Sequence, residues 1–90
     1  MNKYLVEFLG SMLLVFVIFA TDNYLAIGIV TGLIVFLGGP ISGGAFNPAV
    51  VFGLYNAGKI PVSDVLPYII VEILGGLAGY EAYKRIINKA

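Results

Sequence analysis

Ninety residues limit the chain to one small domain, and its composition leaves too little polar surface for a soluble one: 60 per cent apolar, 11 per cent charged, mean hydropathy +1.00. A formal net charge of zero offers no basic patch for nucleic acid, and the lack of Cys and His removes disulfides, thiolate metal sites and the usual general base. The chain therefore reads as a bilayer protein with no cofactor and no residues for enzyme chemistry.

The first apolar stretch, 4–20, follows Lys3 and ends on Ala20, as the apolar part of a secretory leader does. Glu7 interrupts it and further membrane-like sequence follows, so it is expected to stay in the mature structure as a first span. Residues 21–23 are a short polar turn, which makes 24–39 a second span in an antiparallel hairpin. A third span is expected over 65–83, and at 1.5 Å per residue such lengths just cross a hydrocarbon core of about 30 Å. Tyr and Lys near the termini suit the bilayer interfaces. Gly28 and Gly32 in the second span, and Gly75 and Gly79 in the third, sit four apart, a spacing that lets helix backbones approach closely. Packing within the chain is the favoured reading for both pairs over contact between chains.

Between the second and third spans lies GGPISGGAFNPAVVFGLYNAG, residues 38–58. It is too apolar for an exposed loop, yet Gly38, Gly39, Pro40, Gly43, Gly44 and Pro48 argue against one continuous helix. Irregular backbone survives at membrane depth only where it is buried in protein or lines a cavity. Asn47 is a good N-cap and Pro48 a good first helical residue, so a helix restarts there and runs to Ala57, with Gly58 as its stop. Such a helix is about 15 Å long, half a bilayer. The expectation is an all-α membrane protein: three transmembrane helices and one re-entrant loop with a half-helix over about 40–58.

At Ser42-Gly43-Gly44-Ala45-Phe46-Asn47-Pro48-Ala49-Val50 the sequence resembles the signature loop of the aquaporin and glycerol-facilitator family. Glu7 in VEFLGSMLLVF resembles the Glu of that family's first span. YIIVEILGGLAG resembles its third and sixth spans, with Glu72 where Gln is frequent. The likeness covers essentially the whole chain, 1–90, as a single half-repeat. Family members carry this three-span unit twice, inverted, whereas one copy supplies one half-helix and one Asn.

The resemblance implies a pore made by two such units. With a re-entrant loop, Lys3 and Lys59 share one side while Lys84, Arg85 and Lys89 lie on the other, so two positive residues face three, a bias that barely specifies orientation. An oppositely oriented second copy would then reproduce the inverted repeat as a two-fold dimer, which could gather further into the family's tetramer. In that arrangement the Asn47 amide donates to a passing solute, and the positive ends of two half-helices meet at the same point and repel cations. Asn47, Pro48 and Ala49 form the pore motif, and Gly43, Gly44 and Ala45 present carbonyls to the solute. Glu7 accepts hydrogen bonds from the loop backbone, a role open to Glu72 as well. The resemblance further implies a filter of Ile27, Val35, Gly44 and Val50, where Val50 replaces the Arg of many members and favours small neutral solutes. Two other readings stand beside this one: a dual-topology proton-coupled exporter built on Glu7, and a non-conducting remnant of a larger channel.

Overall fold

The computed structural model describes residues 1–88, and these are helical with no strand: α1 (Lys3–Thr21), α2 (Tyr24–Ser42), α3 (Pro48–Asn56) and α4 (Val62–Ile86). Three of them, α1, α2 and α4, are long and apolar enough to cross a membrane. Lys89, counted above among the positive residues, lies outside the described residues.

Several helix ends have a local reason. Asn2 caps α1 by accepting from the Leu5 amide at 2.8 Å, and Asn23 caps α2 by accepting from Leu25 and Ala26. Asp22 ends α1 in the left-handed region at φ 46°, so only Asp22 and Asn23 separate the antiparallel pair. At the end of α3, the Gly58 amide returns to the Tyr55 carbonyl and the Lys59 amide to the Leu54 carbonyl, with Gly58 at φ 75°. This pair of bonds is the Schellman stop that a glycine allows.

Two boundaries differ from the expectation. The second span continues through Gly38, Gly39 and Pro40 to Ser42, rather than stopping at residue 39. Pro40 falls in the last turn, where its missing amide removes a single bond, and membrane helices tolerate such a loss when neighbours re-satisfy the backbone. Gly38 is buried and helical, and glycine is needed there because a Cβ would come within 2.8 Å of Val6 Cγ1 and 2.9 Å of Phe46 Cζ. It serves close packing and does not break the helix. The non-helical arm is consequently short, residues 43–47. The third span is also longer than expected, starting at Val62 with Asp64 in its first turn, where a carboxylate complements the helix dipole, and placing Lys84 and Arg85 in its last turn.

Helices α1 and α4 run parallel in one register. At one end Lys3 Nζ meets Asp64 Oδ2 at 2.6 Å, the Tyr4 hydroxyl donates to Asp64 Oδ1 at 2.7 Å, and the Tyr4 and Tyr68 rings stand edge to face. Midway, Gly75 and Gly79 press on α1 so closely that a Cβ at either would collide with the carbonyl oxygen of Phe8 or Met12. At the far end Phe19 packs on Tyr80 and Tyr83. Helix α2 packs on α1, and α3 on α4. The buried apolar residues form two clusters, one of Val6, Val30, Ile34 and Phe46 between α1 and α2, the other of Ala45, Val51, Ile60 and Tyr68 under α3. The outer faces remain apolar and exposed, as at Ile29, Leu33, Phe36, Ile73 and Leu77, which suits lipid rather than water.

Candidate pore site

The arm and the start of α3 are held by a buried polar network. Glu7, fully buried on α1, accepts from the Ser42 hydroxyl at 2.6 Å through Oε2 and from the Phe46 amide at 2.8 Å through Oε1. Ser42 Oγ in turn accepts from the Gly44 amide at 3.2 Å. The Tyr68 hydroxyl of α4 donates to the Ser42 carbonyl at 2.7 Å, and the Ser11 hydroxyl of α1 reaches the Phe46 carbonyl at 3.3 Å. An unpaired amide or carbonyl in a dry interior costs about 1–3 kcal/mol, so a non-helical arm at this depth needs such partners. Ser11 lies near the middle of α1, so the bond to Phe46 sets the arm close to half-depth of the spanning layer.

Asn47 sits at the end of this arm, extended at φ −160°, and caps α3 by accepting from the Ala49 amide at 2.7 Å through Oδ1. That bond points the other end of the amide, Nδ2, away from the helix, and Nδ2 has no partner among the described residues. Asn47, Pro48, Ala49 and Val50 are exposed, while Val51, one turn on from Asn47, is completely buried against the α4 cluster. The nine residues of α3 extend about 14 Å, too short to span. Its N-terminus therefore presents a positive dipole end beside the exposed Asn47 amide.

The other residues singled out in the sequence are distributed unevenly. Val35 and Gly44 are neighbours, since a Cβ on Gly44 would lie 3.5 Å from Val35 Cγ1. Val35 and Val50 are exposed, Ile27 is half-buried, and Gly44 and Ala45 are buried with only Gly43 of the arm's glycines exposed. Gly43 and Gly44 both take positive φ, 91° and 70°, which explains glycine at those two places. Glu72 does not reach the loop. It shares one helical face with Gly75 and Gly79, which turns it toward α1, beside the Glu7 carboxyl. It is buried with both carboxyl oxygens lacking a hydrogen-bond partner among the described residues. Sequence reasoning did not single out Ser11, Ser42 or Tyr68 as supports. Tyr68 could have been found, because it lies one turn before Glu72 on the same face.

The described residues thus define an integral membrane protein in which a short helix begins at mid-depth from an exposed Asn-Pro-Ala. Residues 19–90 match the family described as Major intrinsic protein, and the chain belongs to that family, whose members are channels rather than enzymes. It is 39 per cent identical to Glycerol uptake facilitator protein-like 6 of Lactiplantibacillus plantarum, over 98 per cent of this chain and 45 per cent of that protein. It is 38 per cent identical to Aquaporin Z of Brucella melitensis (87 per cent of this chain, 41 per cent of that protein). Aquaporin Z of Photorhabdus laumondii is 36 per cent identical over 86 and 40 per cent of the two chains. The chain therefore spans less than half the length of these relatives. No solved structure matches.

Proposed function

We propose that the chain forms a passive channel for water or small neutral solutes when two copies pair in opposite orientations. One observation carries the reading: Asn47 is pinned near mid-depth with Oδ1 used as an N-cap and Nδ2 left to donate. A carbonyl or hydroxyl oxygen passing that point loses its water shell, and a fixed donor replaces part of it. One copy has a single such donor and an open flank on α2. A second, inverted copy would close the flank and bring a second donor and a second helix dipole to the same depth. The opposed dipoles disfavour cations and turn a central water's hydrogens outward, which interrupts a proton-conducting file.

The filter of this pore is Ile27, Val35, Gly44 and Val50, repeated by symmetry near each mouth. It is apolar and without the cation that Arg would supply, which fits glycerol, urea or ammonia as well as water. Glu7 is engaged by Ser42 and Phe46, which favours a supporting role over proton coupling. Purified chain in liposomes tests the reading by stopped-flow swelling in water, glycerol and urea gradients, with and without a proton gradient. Flux independent of the proton gradient is expected. No flux above empty liposomes overturns the channel, and flux driven by protons turns it into an exporter. Tags on both termini, read from each side of the membrane, should show both orientations, and a single orientation overturns the antiparallel pair.

A further inference from the structure

The residue just before Asn47 is bound on every side. Phe46 takes φ 56°, a left-handed conformation that is unfavourable for a bulky side chain and persists only when the surroundings enforce it. Its amide is held by Glu7 and its carbonyl by Ser11. Its ring is buried between Val6, Val30 and Ile34. Two glycines floor this seat, one from each wall. A Cβ on Gly10 of α1 would overlap the ring, and one on Gly38 of α2 would stand 2.9 Å from its Cζ. Neither glycine has positive φ, so what the site needs from them is space for the ring, not backbone freedom.

We propose that Phe46 is the positioning residue for Asn47: a ring seated in a two-glycine socket sets the depth and direction of the Asn47 amide. Upstream, Gly43 and Gly44 are the most permissive residues of the arm and transmit little restraint. Downstream, a rigid peptide and the Asn47 N-cap carry any displacement of Phe46 directly into Nδ2 and the first turn of α3. The ring cannot swing away from a new side chain on α1, because α2 closes its other face at Gly38, Val30 and Ile34. The socket therefore links the contact between α1 and α2 to the donor in the pore, and this rests on the channel reading above.

The test is a size-swap cycle in the full chain: Gly10→Ala, Phe46→Leu and the double variant, each in liposomes. Gly10→Ala is expected to lower flux about tenfold or more, the scale on which overpacking drives a side chain from its seat. Phe46→Leu should lower it less and change the glycerol-to-water ratio. The double variant should recover flux above Gly10→Ala alone, because the smaller side chain makes room for the added methyl. A second readout does not need conduction. The chain has no Cys, so Ala49→Cys gives a single thiol whose labelling rate by a water-soluble maleimide reports where the start of α3 sits. Gly10→Ala should shift that rate and Phe46→Leu should return it toward the parent value. Effects that simply multiply, or an unchanged rate and solute ratio in folded Phe46→Leu, overturn the proposal. Absence of flux with the labelling pattern intact overturns the channel reading and leaves the socket standing. If Gly10→Ala does not fold, the milder Gly38→Ala takes its place in the same cycle.

Discussion

Gly75 and Gly79 on α4 and Gly28 and Gly32 on α2 have the same spacing in helices that are both apolar enough to span a membrane, and their surroundings are opposite. The first pair lies on the α1 backbone with no room for a Cβ, while the second has nothing within 4 Å. The same contrast divides the molecule. On the α1–α4 side, backbone contact and matched contacts at both ends fix the register. On the other side, α1 is the one helix among the described residues that packs broadly on α2. Otherwise α2 meets the Phe46 ring and Gly44 of the arm and takes the Tyr68 bond at its last residue, and Asn47 stands exposed. A small-xxx-small spacing marks a helix that can be approached closely, and says nothing of whether a neighbour is in the same chain. Packing within the chain, expected for both glycine pairs, holds for α4 and not for the α2 pair.

If the packed side governs folding and the open side governs transport, substitutions should separate the two. Asn47→Leu is expected to abolish solute flux, because it removes the donor, yet to leave assembly intact at a cost of about 1 kcal/mol for the lost N-cap. Liposome swelling beside size-exclusion chromatography checks both, and undiminished flux in a folded variant removes Asn47 from the mechanism. Gly79→Ala should act in reverse, costing about 3 kcal/mol in a detergent-titration unfolding curve, since the colliding atom is a backbone carbonyl that cannot turn aside. Glu7→Leu bridges the two sides: it strands the Phe46 amide and should cost about 1–3 kcal/mol while also lowering flux. Val50→Arg, on an exposed position of α3, should reduce glycerol and urea flux more than water flux and leave stability unchanged. An equal fractional loss for all solutes would take Val50 out of the filter. The smallest effect is expected from Gly28→Ala and Gly32→Ala, within about 0.5 kcal/mol in the same unfolding curves.

Much of this was legible in the residues. Hydropathy located the three spans, and Asn47 followed by Pro48 located the start of the short helix, because capping is a local matter. The end of α2 was misread for a reason that is not local. Gly38, Gly39 and Pro40 look like breakers in sequence, but Gly38 is there to admit a ring from eight residues further on and a methyl from α1. Glu7 and Glu72 looked interchangeable as buried acids. Only their azimuth on parallel helices separates a carboxylate that holds the arm from one that faces α1 without a hydrogen bond. The αL backbone of Phe46 left no trace in composition, since nothing about a Phe before an Asn announces it.

The parallel register of α1 and α4 also imposes an order on biosynthesis. As the chain leaves the ribosome, α1 and α2 can enter the membrane as a hairpin, and Glu7 is then available to Ser42 and the arm. The Ser42 carbonyl, however, has its donor in Tyr68, and the buried face of α3 has its floor in the same residue. Tyr68 belongs to α4, which is made after the arm and α3. Until α4 slides against α1 and its glycines meet the Phe8 and Met12 carbonyls, the arm has only part of its support and α3 has nowhere to lie. Synthesis of α4 is therefore the event that seats the middle of the chain.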